Sequence, residues 1–163
     1  MISRGRIIPS VFFAWLVFLT LDFLAHASLL SSIWEPDHPA LKAKGELFRL
    51  IPLGYLSFLF LTILVGWLYK RIFGSEGSAI KGLLFGAAFG GLFAFSTGLG
   101  WYSFLSLPLD FVIWVSLVYF VELAAVGLVF GLLMHPVSLR KRIWLLTGFV
   151  ILGFVIGIVL QNL

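Results

Sequence analysis

The stretch Ile7-Ile-Pro-Ser-Val-Phe-Phe-Ala-Trp-Leu-Val-Phe-Leu-Thr-Leu-Asp22-Phe-Leu-Ala-His26-Ala-Ser-Leu-Leu30 decides the fold. An apolar run of this length matches the roughly 20 residues a helix needs to cross about 30 Å of hydrocarbon. Its opening imitates a secretory signal, with Arg4 and Arg6, an apolar region, and Ala25-His26-Ala27 as an A-x-A site. The apolar region outruns the roughly 7–15 residues of a signal core and contains an acid, Asp22. It therefore predicts an uncleaved transmembrane helix.

Four further runs, at 50–69, 80–99, 111–134 and 143–160, join 7–30 as candidate spans. The composition agrees with them. The 163 residues are 61% hydrophobic and 11% charged, with a mean hydropathy of +1.13, whereas soluble domains carry about 25% charged residues. So small a domain has too much surface to hide this excess, so lipid is the solvent and the bilayer the first partner. In hydrocarbon the backbone satisfies its own hydrogen bonds, which requires helices or a closed barrel, and no alternating barrel pattern is present. The expected fold is all-α, an integral membrane bundle of five transmembrane helices forming a single domain over 1–163. With no cysteine, disulfides, zinc thiolates, iron–sulfur clusters and thiol nucleophiles are excluded.

The net charge of +4 does not point to nucleic acid, because the basic residues sit at span ends. With a cytoplasmic N-terminus, Arg4, Arg6, Lys70, Arg71, Lys81, Arg140, Lys141 and Arg142 fall inside, and Lys42, Lys44 and Arg49 outside. The positive-inside rule thus predicts the N-terminus in the cytoplasm and the C-terminus outside. The Ser138–Arg142 cluster reads first as a topology signal and second as an anionic-lipid contact. Trp34, Trp101 and Trp114 fall at the outer boundary and Trp67 and Trp144 at the inner one, where amphipathic rings prefer to lie. Trp15 falls in mid-span and is assigned to packing.

The third span carries Gly82, Gly86, Gly90, Ala94 and Gly98 at four-residue intervals, a small-residue strip that lets another helix approach closely. Gly127/Gly131 and Gly153/Gly157 repeat the spacing. Packing within the monomer is the first expectation; a homo-oligomer or a larger membrane complex docked on this face is the alternative.

Ionisable groups inside a bilayer usually face the bundle interior and mark function. Asp22 and His26, four residues apart, share a helix face, and Glu122 lies deep in the fourth span. At 1.5 Å per residue, Asp22 and Glu122 fall within about 5 Å of one another along the membrane normal. Tyr119 is one turn from Glu122 on the same face, and Tyr55, Ser57, Ser96 and Thr97 add polar groups in the outer half. An outward-opening polar pocket is expected, with Asp22, His26, Glu122 and Tyr119 binding a ligand or protons. Asp, His and Glu are also acceptable metal ligands, but no HExxH or paired ExxH pattern is present. His26 and His135 lie too far apart in depth to share a haem, so metal and cofactor are left open. Arg49 is a possible counter-charge reaching in from the boundary.

Outside the spans, Trp34-Glu35-Pro36-Asp37-His38-Pro39 reads as a solvated proline turn, followed by a short interfacial helix over 40–48. His135-Pro136 ends the fourth span. No nucleophile elbow, P-loop or dinucleotide fingerprint occurs, and catalysis is the weakest of the functional expectations.

Five spans in a chain of this size, rich in aromatics, resemble the tryptophan-rich sensory protein (translocator protein) family, which binds porphyrins and sterol-like lipids. The resemblance lies in size and span count and carries over no site residues. The segment Asp22-Phe-Leu-Ala-His26-Ala-Ser-Leu-Leu followed by Trp34 resembles the opening of small uncharacterised bacterial membrane proteins, which implies no activity. The chain is expected in a bacterial inner (cytoplasmic) membrane. Three functions follow: binding or helping to transport a small ligand, cation or protons; serving as an accessory subunit with the acid–histidine set as packing glue; and acid–base catalysis.

Overall fold

Each apolar run folds into one helix. A computed structural model describes residues 4–34, 40–134 and 139–162. Helix α1 (Arg4–Leu24) continues into a π-helical turn (Ala25–Leu29) and a 3₁₀ turn (Ser31–Trp34). There follow α2 (Lys44–Phe73), a 3₁₀ turn (Gly74–Glu76), α3 (Ala79–Phe104), α4 (Leu109–Leu133) and α5 (Leu139–Gln161). All five are long and apolar enough to cross a membrane, and the described residues contain no strand. The 30 residues of α2 span about 45 Å at 1.5 Å each, enough to reach beyond the hydrocarbon.

The helices outrun the predicted spans at most ends, because the loops are shorter than the apolar pattern implies. The separate interfacial helix expected over 40–48 is absent: α2 starts at Lys44 and runs unbroken to Phe73. Nothing between Lys44 and Leu50 stops a helix, and Pro52 removes a single ladder hydrogen bond. The Glu35/Asp37/His38 turn and the His135-Pro136 stop lie outside the described residues.

The surface is apolar as well as the interior, unlike that of a soluble domain. Ile8, Phe48 and Leu92 are 76%, 76% and 75% exposed, while Ser10, Thr20, Thr62 and Glu122 are buried. Ser10 and Thr20 donate to the carbonyls of Arg6 (2.6 Å) and Leu16 (2.7 Å), one turn back, which satisfies their hydroxyls within α1. Trp67 and Trp144 are exposed, in keeping with an interfacial position. Trp15 instead packs inward and donates its indole N–H to the Tyr55 carbonyl at 3.0 Å, tying α1 to α2. Arg142 donates to the Leu132 carbonyl, covering one of the free carbonyls at the end of α4.

The glycine strip of α3 is used within the chain. Gly82, Gly86, Gly90, Ala94 and Gly98 are its buried residues, and their partner is α4. A Cβ on Gly86 would collide with the Leu123 carbonyl and the Gly127 Cα, and one on Gly127 with the backbone of Gly82 and Gly86. These helices touch backbone to backbone, as small residues permit. Since α4 covers the strip, a second chain would have to use another face. On the far side of α1, Gly153 receives Thr20 and Gly157 receives Phe23, and the Ser28 hydroxyl donates to the Gly157 carbonyl at 3.0 Å. The order of packing is therefore α3–α4–α1–α5, with α2 lying across α1 and α4.

Because only backbone lies opposite Gly86, Gly86→Leu should cost at least the roughly 1–3 kcal/mol of a typical overpacking change. Gly148→Leu is the control, since nothing lies within 4 Å of a Cβ there. Thermal-shift measurements in detergent should show a lower melting temperature for the first variant alone; equal melting would remove the seam from the account of stability.

Candidate intramembrane site

A space of about 500 Å³ lies between α1, α2 and α4. It sits at the end of the bundle where α1, α3 and α5 finish and α2 and α4 begin. Asp22 and His26 from α1 and its π turn form one wall, with Tyr119 on α4, Tyr55 and Phe58 on α2, and Trp34 and Trp101 at the rim. It continues into a second space of about 370 Å³ that shares His26 and Trp34 and adds Ser31.

The local fold accounts for the position of His26. The π turn is closed by the Leu30 N–H donating to the Ala25 carbonyl at 2.7 Å. Such single wide turns recur at functional sites in helices. Here it leads into the 3₁₀ turn that folds Trp34 back over His26. The Trp34 indole N–H donates to His26 Nδ1 at 3.1 Å, and the rings meet edge to face at 5.2 Å. Trp34 also packs edge to face on Phe111 at 4.9 Å, which anchors it to α4. An indole nitrogen only donates, so His26 Nδ1 is bare and the ring holds its proton on Nε2. The Nε2 edge faces Asp22 Oδ1 at 3.8 Å, within ion-pair range and longer than a hydrogen bond. As held, His26 is the neutral tautomer.

Glu122 is 1% exposed, and neither of its carboxyl oxygens has a hydrogen-bond partner. It does not line this cavity but a separate, almost wholly apolar space of about 350 Å³ between α1 and α4, with Leu21, Leu24, Trp114 and Val118. Tyr119 holds its ring against Phe93 (5.5 Å), Phe58 (6.3 Å) and Trp101 (6.4 Å). Three of the four expected residues share one space: Asp22, His26 and Tyr119 line the cavity, while Glu122, one turn from Tyr119 on α4, lines the neighbouring apolar space.

Other expectations need correction. Ser57, Ser96 and Thr97 do not line the space: Ser57 and Ser96 are exposed, and Ser57 donates to the Gly54 carbonyl at 2.8 Å. Arg49 is exposed at the helix surface, and Asp22 instead faces the neutral His26 ring, Oδ1 to Nε2 at 3.8 Å. A metal held by the trio fails as well: no group of three His, Cys, Asp or Glu side chains among the described residues is arranged to hold one. Trp34 and Trp101 are cavity walls as well as boundary residues. Phe58 was not singled out from the sequence, because an aromatic among many in an apolar span carries no local signal.

Comparison with family models, with curated proteins and with solved structures returns no match. The likeness to the tryptophan-rich sensory protein family therefore rests on size and span count alone, and the site is interpreted from its own chemistry.

Trp34→Phe keeps the ring and removes the donor. It should release His26 from the Nε2–H tautomer and cost about 0.5–1.5 kcal/mol, the net worth of one hydrogen bond. The ¹⁵N shifts of the imidazole nitrogens, assigned against a His26→Asn control, check this; identical shifts in wild type and Trp34→Phe would mean that Trp34 does not set the tautomer.

Proposed function

We propose that this is a small membrane protein whose cavity beside Asp22 and His26 binds, or helps to transport, a small ligand, cation or protons. The observation that carries the proposal is the space of about 500 Å³ with Asp22 and His26 in its wall. Small-molecule pockets run from about 300 to 1,000 Å³ and combine apolar walls with a few convergent polar groups. By the distribution of Lys and Arg, the N-terminus faces the cytoplasm, the C-terminus lies outside and the cavity opens outward. A bacterial inner membrane is the setting proposed.

The state of Glu122 argues against the alternative of packing glue. Polar groups that hold helices together do so by bonding one another across the interface. Glu122 bonds nothing among the described residues, and Asp22 stands 3.8 Å from His26. A group left in this condition reduces stability, as functional groups often do.

Glu122→Met tests this. A buried unsatisfied polar group costs about 1–3 kcal/mol, so the variant should be more stable by about that amount in thermal or denaturant unfolding. A loss of stability would identify Glu122 as glue. For the cavity, Ala27→Trp fills the wall. Mass spectrometry of small molecules extracted from purified protein in nanodiscs should show a species enriched in wild type and depleted in Ala27→Trp, and equal extracts would remove the pocket from consideration.

A further inference from the structure

We infer that the cavity between α1, α2 and α4 takes an organic cation, its charge held between the Asp22 carboxylate and the faces of the surrounding aromatic rings. The inference rests on the cavity being a ligand site and specifies the chemistry of the ligand. Three independent observations lead to it.

The first concerns charge. Asp22 lines the cavity. None of the described residues lining the space is Lys or Arg, and Arg49 on α2 is exposed. His26 does not compensate either, because its Nδ1 accepts from Trp34 and leaves the ring neutral. The acid side of the cavity thus lacks a positive partner, and an occupant is the natural source of one. A carboxyl without a partner can shed its charge by holding a proton, whereas a cation beside it favours the ionised form and an anion opposes it, so the wall selects a cation over an anion.

The second concerns the walls. Trp34, Tyr55, Phe58, Trp101 and Tyr119 line the same space. Aromatic faces attract cations through their quadrupole, and desolvated sites gain more than exposed ones. Aromatic cages of this composition are suited to quaternary ammonium and related groups. They are poorly suited to a bare metal ion, which takes oxygen, nitrogen or sulfur ligands, and no metal-holding triad is present among the described residues.

The third concerns size. About 500 Å³ accommodates a drug-sized molecule and far exceeds what a proton or dehydrated metal ion requires. The apolar remainder of the wall, with Ile51 and Val115, suits hydrocarbon attached to the cationic centre.

The test uses the full chain in nanodiscs and equilibrium dialysis with methyltriphenylphosphonium, with tetrapropylammonium as a smaller cation and triphenylphosphine oxide as a neutral probe of similar shape. At least one cation should bind, at least tenfold more tightly than the neutral probe. Asp22→Asn should weaken cation binding tenfold or more and leave the neutral probe unaffected. Asp22→Glu, which restores the charge one methylene further out, should recover most of the binding if Asp22→Asn folds poorly. Neutral and cationic probes binding equally, with Ala27→Trp abolishing both, would overturn the cation assignment and leave the pocket standing. Cation binding unchanged in Asp22→Asn would overturn it as well. If no cation binds above the level seen with Ala27→Trp, the assignment fails, and the small-molecule extracts decide separately whether the pocket is a site.

Discussion

The backbone contact between α3 and α4 fixes everything else in this bundle. In lipid there is no hydrophobic drive to bring helices together, so van der Waals contact must do it. Contact is greatest where no side chain intervenes, and the Gly82/Gly86 and Gly127/Gly131 positions supply that condition from both sides. Once Ser116, Leu123 and Gly127 face α3, the rotation of α4 is set. Tyr119 and Glu122 lie a fraction of a turn round, on the sides that meet α2 and α1. The seam carries no polar chemistry of its own, yet it orients the two residues on α4 that matter for the site.

A second constraint acts on α1, which is packed on both sides. Gly153 and Gly157 on α5 accept Thr20 and Phe23, and the Ser28 hydroxyl binds the Gly157 carbonyl. That leaves Asp22 and His26 on the remaining face, toward α2 and α4. Ionisable groups so placed avoid the lipid and must find partners or water inside. His26 meets Trp34 and Asp22 faces His26, whereas the Glu122 carboxyl has no hydrogen-bond partner among the described residues. Among the other interior polar residues, Ser10 and Thr20 bond their own helix, while the buried Thr62 hydroxyl shares with Glu122 the lack of a partner among the described residues.

How much of this was legible in the sequence depends on the range of the interaction. Span number and helical class follow from composition and length, which are local properties. The small-residue strip was legible as a strip, and Gly127/Gly131 carry the matching spacing; only the three-dimensional structure identifies α4 as its partner. The shared face of Asp22 and His26 follows from a four-residue separation, and the nearness of Glu122 from depth. The failures are of another kind. Ser57, Ser96 and Thr97 sit at suitable depths on unsuitable faces, because depth constrains one coordinate and rotation another. The π turn at Ala25–Leu29 and the fold-back of Trp34 onto His26 left no periodic signal, since a single wide turn shifts register without changing composition. Arg49 failed as a counter-charge because a long cation on a helix with lipid and water at hand stays with its own hydration.

The cavity floor bears on what the site can do. Phe58 lines the space, and Phe18, fully buried, stacks on it at 4.4 Å with rings 11° apart. Below them the interior closes on Val65, Tyr69 and Phe130, all 0% exposed, with the Phe130 ring set against Gly66. At native packing density such a core admits no passage unless side chains move. The space thus ends on a closely packed floor and opens at one end of the bundle. Movement of a ligand to the opposite side would require the Phe18–Phe58 stack to part, and α2, tied to α1 through the Trp15 bond to the Tyr55 carbonyl, carries half of that stack. Alternating access in transporters generally relies on one repeat rocking against another, and no inverted repeat is evident in the five spans. α2 is held at the cavity floor by aromatic stacking and one indole hydrogen bond to α1, with no glycine seam of its own.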